Sequence, residues 1–515
     1  MLDNITAGLG LLMQPAPLMW LVVGVSVGFI VGVLPGLSTS NTAALLLPFA
    51  ITLPLENSLV LIVSIYAGAQ FGGAVPAILF NVPGEAGSAV TALDGYPLAK
   101  KGQAGLAIGI ARMASVLGGV ISGFFVLFLL QPLGALSLKF GAREMLAIIV
   151  LGLVVASSLM GGSARKGLMV GLLGLMFAVV GVSPATAETR YTFGELQLYD
   201  GIPFLAALIG VFAISEMLML VGSTLMQKRQ KEQAMTPGGL RKETRDAIDG
   251  VKATLRQPGA VGRASSVGVV LGIIPGLGAA VANFISYSFE KRRSKTPEEF
   301  GKGSHKGIIA SEACDNAVAS SSLIPTFTLG IPGSATMAVV LAAFYLQGIQ
   351  PGPRVLQTNS AEVYAVALAL IAASILILPL GVLLAGPLAS VTKVPLSFLV
   401  PTVLFMSMVG VYAIRNSIFD VGLALFFGVI GLLLRLNGYP VIPLILGIIL
   451  GPLAEEYLLR SLQLADGPGY FFGSIVVNIL WALLVAALAA MAFSGLRKGR
   501  AEKKPAARET AQQNS

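Results

Sequence analysis

Gly32-Val-Leu-Pro35-Gly36-Leu37-Ser38-Thr39-Ser40-Asn41-Thr42 ends an apolar stretch with a break and follows it with five polar side chains in a row. Proline has no N–H to donate and glycine frees the backbone, so a helix entering through Leu18–Leu34 is interrupted at Pro35-Gly36. The break returns 240 residues later as Gly272-Ile-Ile-Pro275-Gly276-Leu277. A second pair keeps nearly the same offset: Pro76 with Pro83-Gly84 returns 249 residues on as Pro325 with Pro332-Gly333. Equal order and near-equal spacing argue for a duplicated unit.

The chain around these breaks is apolar. Of 515 residues, 55% are hydrophobic and 11% charged, against roughly a quarter charged in soluble domains. Leu18–Leu34, Gly118–Leu130, Leu146–Met160, Leu168–Val182, Val363–Leu388 and Ile475–Phe493 are apolar cores that, with their flanks, approach the roughly 20 residues a span needs. The 61 Gly and 28 Pro suit helices that bend or break within a bilayer. A soluble globule is excluded. Met1–Gln14 carries Asp3 and no Lys or Arg, so no cleaved secretory leader is expected. Cys314 is the single cysteine, which excludes an internal disulfide.

The net charge of +9 reads as membrane topology and gives no reason to expect nucleic acid as a partner. Lys and Arg stay on the cytoplasmic side. Nine lie in Gln227–Arg263, six in Lys291–Lys306 and six after Leu496, whereas the first in the chain is Lys100. The N-terminus is therefore expected outside, and the central loop and C-terminus in the cytoplasm. Lys139 and Arg143 sit against that pattern. The first break lies among no basic residues and the second between basic ones, so the copies face opposite sides. The expected fold is an all-α polytopic membrane protein of about 11–12 segments. It is read as two inverted-topology repeats, each with a Pro-Gly-broken re-entrant hairpin. Two ordinary helices kinked at Pro-Gly are the plainer alternative. Residues 1–226 form the first repeat, 227–263 a basic cytoplasmic linker, 264–496 the second repeat with one extra helix, and 497–515 a basic, disordered tail.

Beyond each break a new helix begins, with free N–H groups that can hold a carboxylate. Ser38, Thr39, Ser40, Asn41 and Thr42 add hydroxyls and an amide, suited to a carboxylate or to sodium through their oxygens; helix capping alone is the bland reading. The second copy offers Gly278 and then Asn283. The paired later motif offers Asn81, Pro83 and Gly84, and Pro332, Gly333 and Ser334. Structural breaks are assigned to Pro35, Gly36, Pro83, Pro275, Gly276 and Pro332. Glu312 and Asp315 are three apart, on one helix face, followed by Asn316. Asp315, Asn316 and Asn41 are the candidate sodium ligands. Cation or proton binding is the sharp reading for the two acids, and wet carboxylates on an interfacial helix the bland one. Arg112 either offsets substrate charge or snorkels to the cytoplasmic face. His305 lies among basic loop residues and is given no role.

Gly32-Val-Leu-Pro-Gly-Leu, Tyr66-Ala-Gly-Ala-Gln-Phe-Gly-Gly, Asn81-Val-Pro-Gly-Glu, Glu312-Ala-Cys-Asp-Asn-Ala, Gly330-Ile-Pro-Gly-Ser and Gln347-Gly-Ile-Gln-Pro-Gly-Pro together resemble the large membrane subunit of the tripartite tricarboxylate transporters. The likeness runs from about Gly24 to Ala492. It implies a small four-helix membrane subunit and a periplasmic solute-binding protein as partners. It also implies import of citrate or another organic carboxylate, driven by a sodium or proton gradient through alternating access. Ser40-Asn41-Thr42 resembles the hairpin-tip motif of sodium-coupled dicarboxylate transporters, and Ala280-Val281-Ala282-Asn283 departs from it.

No cofactor is expected beyond a coupling ion, sodium or a proton, and no enzyme activity. An anion channel is the alternative, and an intramembrane enzyme a remoter one. No Walker A, His-Glu-x-x-His or Gly-x-Gly-Asp sequence is present, and the single His leaves a serine nucleophile without a base.

Overall fold

The computed structural model describes residues 1–34, 38–159, 163–184, 186–227, 240–275, 277–383, 396–489 and 491. Pro35, Gly36, Gly276, the linker residues 228–239 and the 497–515 tail lie outside the described residues. What is described is helical. In chain order the helices are α1 (Leu2–Leu12), α2 (Pro15–Gly32), α3 (Thr39–Ala50), α4 (Leu55–Phe80), α5 (Ser88–Lys100), α6 (Ala104–Ser137), α7 (Ala142–Leu159) and α8 (Ala164–Ala178). After them come α9 (Phe204–Ile209), joined by a π turn at Gly210–Ile214 to α10 (Ser215–Gln227), then α11 (Leu240–Leu255), α12 (Pro258–Gly272), α13 (Gly278–Arg293), α14 (His305–Ser321), α15 (Leu323–Leu329) and α16 (Ala335–Leu346). The last are α17 (Val355–Thr358), α18 (Ser360–Leu383), α19 (Leu396–Arg415), α20 (Ile418–Leu436), α21 (Ile442–Leu464) and α22 (Ile475–Ala489). Among the described residues the strands are one two-stranded hairpin, Gly181–Val182 against Thr189–Arg190. Eight helical stretches among the described residues are long and apolar enough to cross a membrane: Pro15–Gly32, Leu55–Phe80, Ala104–Ser137, Phe204–Val221, Ser360–Gly381, Ser397–Arg415, Ile418–Leu436 and Ile442–Leu464. This is an all-α polytopic membrane protein.

Two compact units divide the chain. The first comprises Met1–Lys139 and Pro203–Leu433. Its helices approach through glycine. On α2, Gly24, Gly28 and Gly32 recur every fourth residue, and a Cβ at Gly28 or Gly32 would collide with the carbonyl oxygen of Ile65 or Ala69 on α4. Between apolar helices in lipid, such small residues bring the backbones into van der Waals contact. The contact between α12 and α14 has the same form. Gly268 would meet the Cys314 carbonyl oxygen at 2.6 Å, and Gly272 that of Val318 at 3.0 Å. Gly28 and Gly32 are 240 residues before Gly268 and Gly272, while Ile65 and Ala69 are 249 before Cys314 and Val318.

The next elements match too. α4 ends at Asn81, in the left-handed region at φ 55°, with its N–H on the Pro76 carbonyl. α15 ends at Gly330, φ 71°, with its N–H on the Pro325 carbonyl. Gly84 then rests against the Gly32 carbonyl and Gly73, and Gly333 against Ser322 and the Gly272 carbonyl.

The second unit comprises Phe140–Ile202 and Leu434–Ser515. α8 and α21 pack glycine to glycine at Gly171, Gly174 and Gly447. Beyond α8, Arg190 holds Glu455 with two hydrogen bonds of 2.7 and 3.1 Å, tying the strand hairpin to α21.

Candidate binding site

Ser38 has extended backbone and caps α3, its hydroxyl accepting from the Asn41 N–H at 3.3 Å and lying 3.0 Å from the Ser40 hydroxyl. The Thr42 hydroxyl donates to the Ser38 carbonyl at 3.0 Å. Thr39, Ser40, Asn41 and Thr42 are all buried. Yet the Thr39 hydroxyl and both polar atoms of the Asn41 amide have no partner. A buried amide left unmet costs about 1–3 kcal/mol. The two ends of the Asn41 side chain, one donor and one acceptor, are therefore free for a ligand.

The segment between α4 and α5 runs across this helix start. Gly84 N–H donates to the Gly73 carbonyl at 3.2 Å. Glu85 next to it takes the Thr39 N–H on its carboxylate. Gly87 gives its carbonyl to the Asn283 amide at 3.2 Å, and the adjacent Ser88 hydroxyl is buried without a partner. This one loop therefore touches α3, α4 and α13.

Asp315 lies beyond Gly87, 1% exposed. The Asn283 amide donates to one carboxylate oxygen and the Gln70 amide to the other, each at 2.7 Å. Among the described residues no Lys or Arg pairs with it. Glu312, one turn back and 0% exposed, accepts from the Thr91 hydroxyl and, at 2.8 Å, from Ser115. Thr91 also meets Ser311 at 2.9 Å. The reading of wet carboxylates on an interfacial helix is overturned: α14 is buried along its length because α6, α12 and α13 all pack on it. A buried carboxyl without a cationic neighbour stays in place by binding a proton or a metal cation.

At the Pro332-Gly333 loop the arrangement around Pro83-Gly84 is answered. Ser334 caps α16, accepting from the Met337 N–H at 3.1 Å. The Tyr66 hydroxyl faces Ser334 and Ser322. Tyr66 lies 249 residues before Asp315 and Glu85 249 before Ser334. Asp315 thus reaches toward the first Pro-Gly loop, and its counterpart Tyr66 toward the second.

Other candidates do not converge. Asn81 is an exposed left-handed helix end. The Asn316 amide donates to the Glu312 carbonyl of its own helix at 3.3 Å, away from the Asp315 oxygens. Gly278 opens α13 at φ 69°, and Gly333 serves close packing. Pro83 is exposed and Pro332 buried, while Pro275 lies in the turn after α12. Arg112 does not snorkel. It is 6% exposed, gives an N–H to the Gly381 carbonyl in the last turn of α18 at 3.0 Å, and lies 5.8 Å from the Phe71 ring. It therefore satisfies a helix C-terminus. Gln70, Thr91, Ser115 and Tyr66 are the site neighbours that sequence reading missed; an isolated Gln in an otherwise apolar span was the available signal.

The model of a family described as the tripartite tricarboxylate transporter TctA family matches residues 18–446. An uncharacterized 52.8 kDa protein in the TAR-I ttuC' 3' region of Agrobacterium vitis is 37% identical over 486 residues, 94% of each chain. An uncharacterized protein in the TAR-II ttuC' 3' region of the same organism is 37% identical over 226 residues, 44% of this chain and 93% of that one. No solved structure matches the chain.

Proposed function

Because this chain belongs to the tripartite tricarboxylate transporter TctA family, we propose that it is the permease subunit importing citrate or a related organic carboxylate, driven by an ion gradient through alternating access. The family implies other subunits and a binding protein; these are read as a small four-helix membrane subunit and a periplasmic protein. The membrane is the bacterial inner membrane, with the N-terminus periplasmic and the C-terminus cytoplasmic. Two inverted repeats, 1–226 and 264–496, joined by the 227–263 linker, carry the two hairpins. The paired glycine contacts and paired left-handed helix ends support that duplication.

The observation that carries the reading is Asp315, a buried carboxyl held by one amide from α4 and one from α13 with no Lys or Arg beside it among the described residues. It is the seat of the coupling ion. The unpartnered oxygens of Asn283, Asn41, Thr39 and Ser88 are the neutral ligands that favour sodium over a proton, since hard cations take oxygen. The start of α3, with Ser38 to Thr42, receives a substrate carboxylate on its N–H groups and the Asn41 amide. Gly84 and Ser334 lie on the two loops that flank the site, and Asn316 orders α14.

The test is uptake of labelled citrate and dicarboxylates by cells expressing the subunit with its partners, with and without a sodium gradient and the binding protein. Saturable, gradient-driven uptake that Asp315→Asn uncouples from sodium supports the assignment. Equal sodium dependence in that variant removes Asp315 from the ion site. Non-saturable flux down the gradient would instead favour a channel.

A further inference from the structure

A cavity of about 600 Å³ lies where α12 and α14 begin, apart from the buried acids. Arg256 and Gln257 line it from the turn before α12, Arg263 from α12 itself, His305 and Lys306 from the start of α14, and Glu299 from the turn between α13 and α14. Arg263 is engaged by Glu290 at 2.6 and 2.9 Å. Among the described residues Arg256 and Lys306 have no acidic partner within 4.0 Å. Two unengaged cations against one carboxylate leave the cavity positive, and two helix starts add their partial charges.

Gln257 narrows the chemistry. Its side-chain oxygen is buried and has no donor. A fully ionised phosphate monoester brings no hydrogen to it; a group with phosphate and hydroxyl side by side satisfies the cations and the amide oxygen together. Leu255, 52% exposed, adjoins Arg256 and offers an apolar flank for a lipid chain. Basic pockets at the cytoplasmic ends of membrane helices hold anionic headgroups in this way.

We propose that this cavity binds a glycerol phosphate group. The group comes either from the headgroup of phosphatidylglycerol or from free glycerol phosphate. The full chain, purified in detergent, is incubated with phosphatidylglycerol, phosphatidic acid, phosphatidylcholine or glycerol 3-phosphate, and bound ligand is read by native mass spectrometry. Retention of phosphatidylglycerol at least tenfold above phosphatidylcholine is expected. It falls to the phosphatidylcholine level in the R256Q/K306Q double variant and rises in Glu299→Gln, which removes the cavity's carboxylate. Gln257→Leu lowers retention of phosphatidylglycerol and leaves phosphatidic acid unchanged. If glycerol 3-phosphate binds and no lipid is preferred, the source is the soluble one. Binding of neither probe, or Glu299→Gln and the double variant both behaving as the parent protein, overturns the proposal.

Discussion

Asp315 receives two amide hydrogen bonds, from Gln70 and Asn283, and neither donor can neutralise it. Asp315→Asn preserves the shape and removes the charge, so uptake in that variant is expected to lose its ion dependence while the protein remains in the membrane. Gln70→Leu leaves one carboxylate oxygen short of a donor, a loss of about 1–3 kcal/mol. That corresponds to roughly a 5- to 150-fold change in apparent ion affinity, read from the sodium dependence of uptake. Asn41→Ala is expected to abolish uptake with membrane insertion intact, because its amide has no structural partner to lose; near-normal transport would remove the α3 start from the substrate site. Asn41 and Asp315 were legible as polar residues set in apolar sequence. Gln70 was not assigned a role, because the residue that gives it one lies 245 positions away.

At the scale of elements, the helix breaks were read from Pro-Gly pairs, while the helix contacts were not. Glycine on a face acquires meaning only when the opposing backbone is known, and α4 and α14 supply it. Gly28→Ala and Gly268→Ala force their helix pairs apart and are expected to lower thermal stability in detergent, each by about 1–3 kcal/mol. Gly10→Ala on α1, with open space around it, is expected to be neutral or slightly stabilising, since alanine favours helix. Equal melting temperatures for all three would mean that the glycine contacts contribute nothing. The burial of α14 escaped the sequence for a related reason. Distance from a helix end measures depth along the axis, whereas the covering of Glu312 and Asp315 comes from neighbouring helices at the sides.

For the whole molecule, charge patterning sets the expected halves 1–226 and 264–496, and contacts group the chain by another rule. The described residues of 140–202 pack with those of 434–489, a partnership across more than 200 positions that charge patterning has no means to record. With a binding protein in the assembly, uptake at micromolar substrate is expected to collapse when that protein is omitted and to recover on adding it back; undiminished uptake would make the membrane subunits self-sufficient. The single cysteine has a use of its own here. Cys314 is 0% exposed, lies beneath Gly268 and adjoins Asp315 in sequence. A maleimide can reach its sulfur, which faces Ser286 on α13, only after a helix packed on α14 has moved, so the native chain carries its own stopwatch for opening. Alkylation rates with and without sodium and citrate would time the transport cycle with no engineered label.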